Sequence, residues 1–183
     1  MRLDFEPLEL RLRDGWSTAR TPHSHVARTV LVTLTDDAGR RGLGEAAPIS
    51  RYGESVETVT AFLQGVDVPA AADLNQADWS LWLDSLGPGN TSAKAALDCA
   101  WLDLAAQRAG QPLHAFLGLE FRENHHLTSF SIGLDEPAVI RRKVSDASAF
   151  PILKIKLGTD QDEAILRAVR EVAPAKWLRV DAN

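Results

Sequence analysis

The sequence predicts two architectures in one chain: an α+β capping domain, made of a three-stranded antiparallel meander plus helices, and then the first βα units of a (β/α) TIM-like barrel. Three observations carry this. The order of elements runs strands, then helices, then strand and helix in alternation, and that change separates an α+β part from an α/β part. Ile152–Leu157 alternates apolar and charged residues, and the next segment, Asp160–Val172, sets Ala164, Ile165, Ala168, Val169 and Val172 at helical spacing. A second strand, Leu178–Asp181, follows, so that Lys156 and Asp181 lie 25 positions apart, close to the roughly 30 residues per unit of a ~250-residue barrel. The expected domains are 1–118 and 119–183. Only three barrel strands fall within the 183 residues, so the barrel is expected to be incomplete. The chain then reads as the N-terminal part of a longer protein, poorly behaved alone.

Taken in order, Leu3–Leu12 reads as a strand with Leu8, Leu10 and Leu12 on one face. Asp14–His25 reads as a polar loop. Val26–Thr35, rich in Val, Leu and Thr, is a second strand. Asp36-Asp37-Ala38-Gly39 signals a hairpin turn, and Arg41–Ala46 returns as a third strand. A first helix is capped by Ser55 and shows Val56, Val59, Thr60 and Leu63 on one face. A second runs from Asp73 to Leu86 with Trp79, Leu81, Trp82 and Leu86. The third, about Thr91 to Arg108, carries the stripe Ala93, Ala96, Leu97, Ala100, Trp101, Leu104 and Ala105, whose small residues imply close packing. Asn90 offers its cap, and Gly110 with Pro112 ends it. After a short turn at Pro112–Leu117 come a strand at Leu127–Gly133 and a helix at Glu136–Asp146.

Composition narrows the function. With 45% hydrophobic and 25% charged residues the chain has ordinary globular usage. A net charge of −5 gives no basic footprint for nucleic acid. Met1–Leu10 lacks the apolar core of a signal peptide, and no apolar run is long enough for a membrane span. One cysteine, Cys99, excludes an internal disulfide framework and fits a reducing cytoplasm; in its apolar helix it reads as a small core residue. Gly42-x-Gly44 lacks the third glycine of a dinucleotide fingerprint and opens no helix, so these glycines read as points of close backbone approach. His23, His25, His125 and His126 lack further ligands at metal-site spacing and read as solvated.

The chemistry concentrates at the ends of the last two strands. Lys154 and Lys156 project side by side, opposite Leu153, Ile155 and Leu157. Neighbouring like charges favour the neutral form of a lysine, which suits a general base. A carboxylate at the next strand end, Asp181, suits a hard cation such as Mg²⁺. Base and metal together are what proton abstraction beside a carboxylate requires. Solvated edge lysines and a helix-capping aspartate remain the bland alternative. Ser129 and Ser131 share a strand face and either contact a substrate or fill the barrel. In Trp16-Ser17-Thr18-Ala19-Arg20 an arginine offers a planar fork to a carboxylate; a solvated arginine is the alternative, and Arg28 is the competing residue.

Lys154-Ile155-Lys156 followed by Asp181-Ala182-Asn183 resembles the K-x-K and D-A-N strand ends of the enolase superfamily, muconate-lactonising subgroup. Gly42-Leu43-Gly44-Glu45-Ala46-Ala47-Pro48 and Gly89–Asp98 are similar to the same subgroup, and Thr128–Gly133 to its dipeptide epimerases of the L-Ala-D/L-Glu type. The resemblance runs over nearly the whole chain. It implies a Mg²⁺-dependent epimerase acting on a small molecule, a dipeptide or N-acyl amino acid, in a homo-oligomer. It implies Lys154 and Lys156 as catalytic, Asp181 as a metal ligand, Asn183 as its neighbour, and Arg20 with Ser129 at the substrate. It also implies a mobile loop between the first two strands that selects the substrate. Two further acidic ligands, an opposite-face lysine and an acidic D-x-D would have to lie beyond Asn183. The same base and metal serve o-succinylbenzoate synthesis, N-acylamino acid racemisation and muconate cycloisomerisation, and a non-catalytic interaction module stays open as a third reading.

Overall fold

The computed structural model describes residues 1–68 and 74–182. The chain divides into two compact units, Met1–Leu10 with Arg28–Phe121, and Arg11–Ala27 with Arg122–Asn183.

β1 (Arg2–Thr18), β2 (Thr21–Thr35) and β3 (Arg41–Ala46) form a sheet in that order, and its residues 2–10, 28–35 and 41–46 belong to the first unit. β2 and β3 are antiparallel, with Val32 opposite Gly44 and Leu34 opposite Gly42. Parity therefore puts Val30, Val32 and Leu34 on one face with the two glycines and Ala46, and all are buried. Helix α3 (Thr91–Arg108) lies on this face through Ala93, Ala96 and Ala100. The approach is backbone to backbone: a β-carbon on Gly44 would stand 1.9 Å from the Ala96 carbonyl oxygen, and one on Gly42 2.0 Å from that of Ala100. The expected close approach at both glycines is thus what the fold uses. The turn between β2 and β3 is held by Asp36, which accepts from the backbone of Ala38 and Arg40 and from Arg108 Nε. Burial would raise this carboxyl, but the Arg108 hydrogen bond, the Arg40 backbone and the Arg40 guanidinium lower it to about 2.

Helix α1 (Val56–Gln64) begins at Ser55 in a capping box with Thr58. Helix α2 (Gln76–Ser85) is capped by Asn75; Asp73, the expected start, lies outside the described residues. Trp79 is fully buried, stacks on Trp101 at 5.3 Å and donates to Asp98 Oδ1. Helix α4 (Leu113–Phe116) is the short turn expected there.

Three expectations in this unit are corrected. The core-facing residues of β1 are Leu3 and Phe5, while Leu10 is exposed; consecutive exposed Glu6 and Pro7 break the alternation. Asn90 sits at the head of α3 in a left-handed conformation and makes no side-chain cap; the buried Glu54 caps instead, accepting from the backbone and hydroxyl groups of Thr91 and Ser92. Cys99 is exposed, not a core residue.

In the second unit, β4 (Ser129–Ile132), β5 (Ile152–Lys156) and β6 (Trp177–Asp181) form a parallel sheet in that order. Helices α5 (Pro137–Asp146) and α6 (Asp162–Val172) connect them. Ile132, Leu153 and Ile155 pack with Ile140, Val144, Ile165, Ala168 and Val169. This is the βαβαβ opening that the alternating pattern predicts.

The expected polar loop at Asp14–His25 is a correction. β1 continues to Thr18 and β2 resumes at Thr21, so only Ala19 and Arg20 turn the chain. Where the sequence put residues 1–118 in one domain, the compact units assign Arg11–Ala27 to the second, because this stretch is hydrogen-bonded there, as described below. No helix among the described residues is long and apolar enough to cross a membrane.

Candidate active site

The alternation in β5 does the first part of the work. Leu153 and Ile155 are fully buried toward α5 and α6, which leaves Lys154 and Lys156 on the other face. Residues paired in a parallel ladder share a face. The register aligns Ser131 with Lys154, Lys154 with Arg179, and Lys156 with Asp181. The Asp181 carboxylate gathers both lysines through one oxygen, Lys154 Nζ at 2.8 Å and Lys156 Nζ at 2.9 Å from Oδ2. Lys156 is the less exposed of the two, 16% against 36%.

The loop after β5 is fixed behind these groups. Leu157 N–H donates to the Asp181 carbonyl at 2.9 Å. Gly158 has φ +112°, open to glycine alone without strain. Asp162 accepts from the backbone of Thr159 and Gly158, and these bonds hold its carboxyl below its usual range.

The hairpin tip reaches the same strand ends. Ser17 Oγ donates to the Leu134 carbonyl at 2.8 Å, and Leu134 N–H returns a bond of 3.0 Å to the Ser17 carbonyl. A β-carbon on Gly158 would stand 3.1 Å from both the Ala182 carbonyl oxygen and the Ala19 β-carbon. Arg20, next in the chain, is exposed. Arg28 belongs to the first unit and pairs with Glu9 at 2.9 Å.

Lys154, Lys156 and Asp181 are thus brought together. Ser131, rather than Ser129, stands level with Lys154; Ser129 pairs with Ile152, two residues further from the strand ends. Asn183 lies outside the described residues. Arg179 was missed. It is two residues before Asp181 and shares its face, and the period-two rule that paired the lysines would have found it. The face therefore carries three cations and one carboxylate, an arrangement that favours an anionic ligand. Among the described residues no three of His, Cys, Asp and Glu gather as a metal site. Asp181 fits a hard cation as a single oxygen donor. His23 and His25 are exposed, with ring centroids 5.0 Å apart.

An antiparallel sheet packed on helices, followed by a parallel βαβαβ unit with K-x-K and an aspartate on one face, defines a protein of the enolase type. Residues 10–118 match the N-terminal domain of the mandelate racemase / muconate lactonizing enzyme family, and the chain belongs to that family. It is 46% identical over 185 residues to an L-Ala-D/L-amino acid epimerase of Pedosphaera parvula, covering 100% of this chain and 53% of that protein. A substrate-liganded complex of the L-Ala-D/L-Glu epimerase from Bacillus subtilis superposes with a TM-score of 0.85 at 29% identity, over 100% of this chain and 53% of that one. A dipeptide epimerase from Cytophaga hutchinsonii, complexed with Mg and D-Ala-L-Val, gives 0.83 at 28% identity, over 99% and 51%. The chain spans about half the length of the relatives it matches.

Proposed function

We propose that this chain forms the capping region, residues 1–118, and the first barrel strands, residues 119–183, of a Mg²⁺-dependent dipeptide epimerase. The observation that carries this is the convergence of Lys154 and Lys156 on Asp181, in a chain whose relatives are named as dipeptide epimerases. Lys156 Nζ removes the α-proton on one face of a carbon beside a carboxylate. Lys154 Nζ stabilises the enediolate charge that develops. Asp181 is the residue of this chain that would hold the metal, and a bound Mg²⁺ supplies Lewis-acid stabilisation of that charge. Return of a proton to the opposite face needs a second base, for which no residue described here is a candidate. Arg20, exposed at the hairpin tip, pairs with an acidic side chain of the substrate, which favours a dipeptide such as Ala-Glu. The serine that contacts the substrate is Ser131 in preference to Ser129, given its register with Lys154. A cytoplasmic homo-oligomer completes the reading, supported for location by the single, free cysteine.

The test is a screen of the natural protein with Mg²⁺ against a dipeptide library, N-acylamino acids and the succinylbenzoate precursor. Epimerisation of dipeptides with an acidic second residue is expected. Turnover confined to the other two classes would move the assignment elsewhere in the superfamily.

A further inference from the structure

We propose that Lys143 is a positioning residue: from α5 it latches the far end of the β1–β2 hairpin and so fixes where Arg20 stands at the strand ends. Lys143 lies in the run Arg141-Arg142-Lys143, yet its side chain is only 6% exposed while that of Arg142 is 52% exposed. A buried ammonium persists only where partners replace water. Lys143 Nζ has two, the Gly15 carbonyl of β1 at 2.9 Å and Asp135 Oδ2 at 3.0 Å. Asp135 is itself braced, its other oxygen accepting from Glu136 N–H at 2.9 Å, with His23 Nε2 3.9 Å from Oδ2. One residue earlier on each segment, Arg142 Nη2 binds Asp14 Oδ1 at 2.5 Å. Two residues further along β1, Ser17 makes its pair of bonds with Leu134.

The apolar core of this unit is built from β4–β6, α5 and α6, and α5 faces it with Ile140 and Val144, with Ala147 just past its end. An apolar residue at position 143 would serve that core at less desolvation cost than a lysine. What the lysine adds is a directed bond to one carbonyl of the hairpin. From Gly15 to Thr18 β1 runs on for three residues, roughly 10 Å of strand at ~3.3 Å per residue, and the turn Ala19-Arg20 follows directly, so register fixed at Gly15 is carried to the tip, where Ala19 meets Gly158. The consequence for substrate choice rests on the epimerase reading; the latch itself does not.

The test is amide hydrogen exchange, read by mass spectrometry, on the natural protein and its Lys143→Met and Lys143→Arg variants, beside steady-state kinetics. In Lys143→Met, amides over Trp16–Arg20 should exchange roughly tenfold faster or more, as follows when buried acceptors lose their donor, while β5 amides keep their protection. Lys143→Arg, which restores a donor, should return most of the protection. KM for an acidic dipeptide should rise in Lys143→Met with kcat largely held. Unchanged exchange at Trp16–Arg20 would overturn the latch. Loss of protection throughout the unit would overturn it too, by making Lys143 a residue of general stability. Faster hairpin exchange in a protein that turns over no dipeptide would keep the latch and refute the epimerase reading.

Discussion

Substituting Gly44 by alanine tests whether β3 and α3 pack backbone to backbone. The added β-carbon would sit 1.9 Å from the Ala96 carbonyl oxygen and 2.9 Å from Ala100 N, whereas ordinary contact begins near 3.4 Å. The obstacle is helix backbone and cannot swing aside, so strand and helix must separate by about 1.5 Å at that point, or the helix must bend. Either response loosens fully buried Val32, Ala96 and Ala100. Overpacking of this kind costs about 1–3 kcal/mol, and a clash with backbone belongs at or above the upper end. For a chain of this length about 3 kcal/mol corresponds to a Tm lower by ~6–12 °C. Gly65→Ala is the internal control, because its φ is −92° and its nearest neighbour, the Phe62 carbonyl oxygen, is 3.6 Å away. That variant should be neutral or slightly stabilising. Urea titration and thermal melting of both variants measure the difference. Gly44→Ala within ~1 kcal/mol of Gly65→Ala would refute the packing argument.

Arg20→Met should raise KM for dipeptides ending in an acidic residue by roughly 10- to 100-fold, the loss of a charge-assisted hydrogen bond of ~1.5–3 kcal/mol, and leave neutral dipeptides nearly unchanged; an equal effect on both would make Arg20 structural. Asp36→Asn should destabilise the protein most above pH ~4 and progressively less as pH falls toward 2. The folded carboxyl titrates at about 2, below its ordinary 3.8, so its stabilisation is complete above the unfolded value and disappears on descent through the folded one. Urea midpoints of the two proteins from pH 2 to pH 6 check this, and a pH-independent gap would contradict it.

The parts of the site legible in the sequence were those set by local period. Lys154 and Lys156 could be placed on one face because Leu153 and Ile155 between and before them demand a core. Gly42-x-Gly44 could be read as close approach because small residues recur on the facing helix stripe. The hairpin tip was not legible. Thr18–His25 holds a proline, two histidines and small polar residues, and its two-residue turn, Ala19-Arg20, lacks the Asn-Gly signature; pairing and tertiary bonds override weak strand propensity there. Glu54 and Lys143 were invisible for another reason. Each bonds to residues far along the chain, Glu54 to Thr91 and Ser92 and Lys143 to Gly15, and no spacing rule reports such partners. Cys99 was a misuse of period: it lies four residues after exposed Ala95 and shares its outward side of α3.

The most direct test of the central claim is α-proton exchange. The natural protein is incubated in D₂O with Mg²⁺ and L-Ala-L-Glu or its epimer, and the α-proton of the second residue is followed by NMR. With the unaltered protein, deuterium should replace that proton from both epimers as each converts to the other. With Lys156→Ala, exchange should vanish from one epimer, the one whose α-proton faces Lys156. Exchange of both epimers at the natural rate in that variant would contradict the role of Lys156 and, with it, the reading of the strand ends as the site of proton transfer.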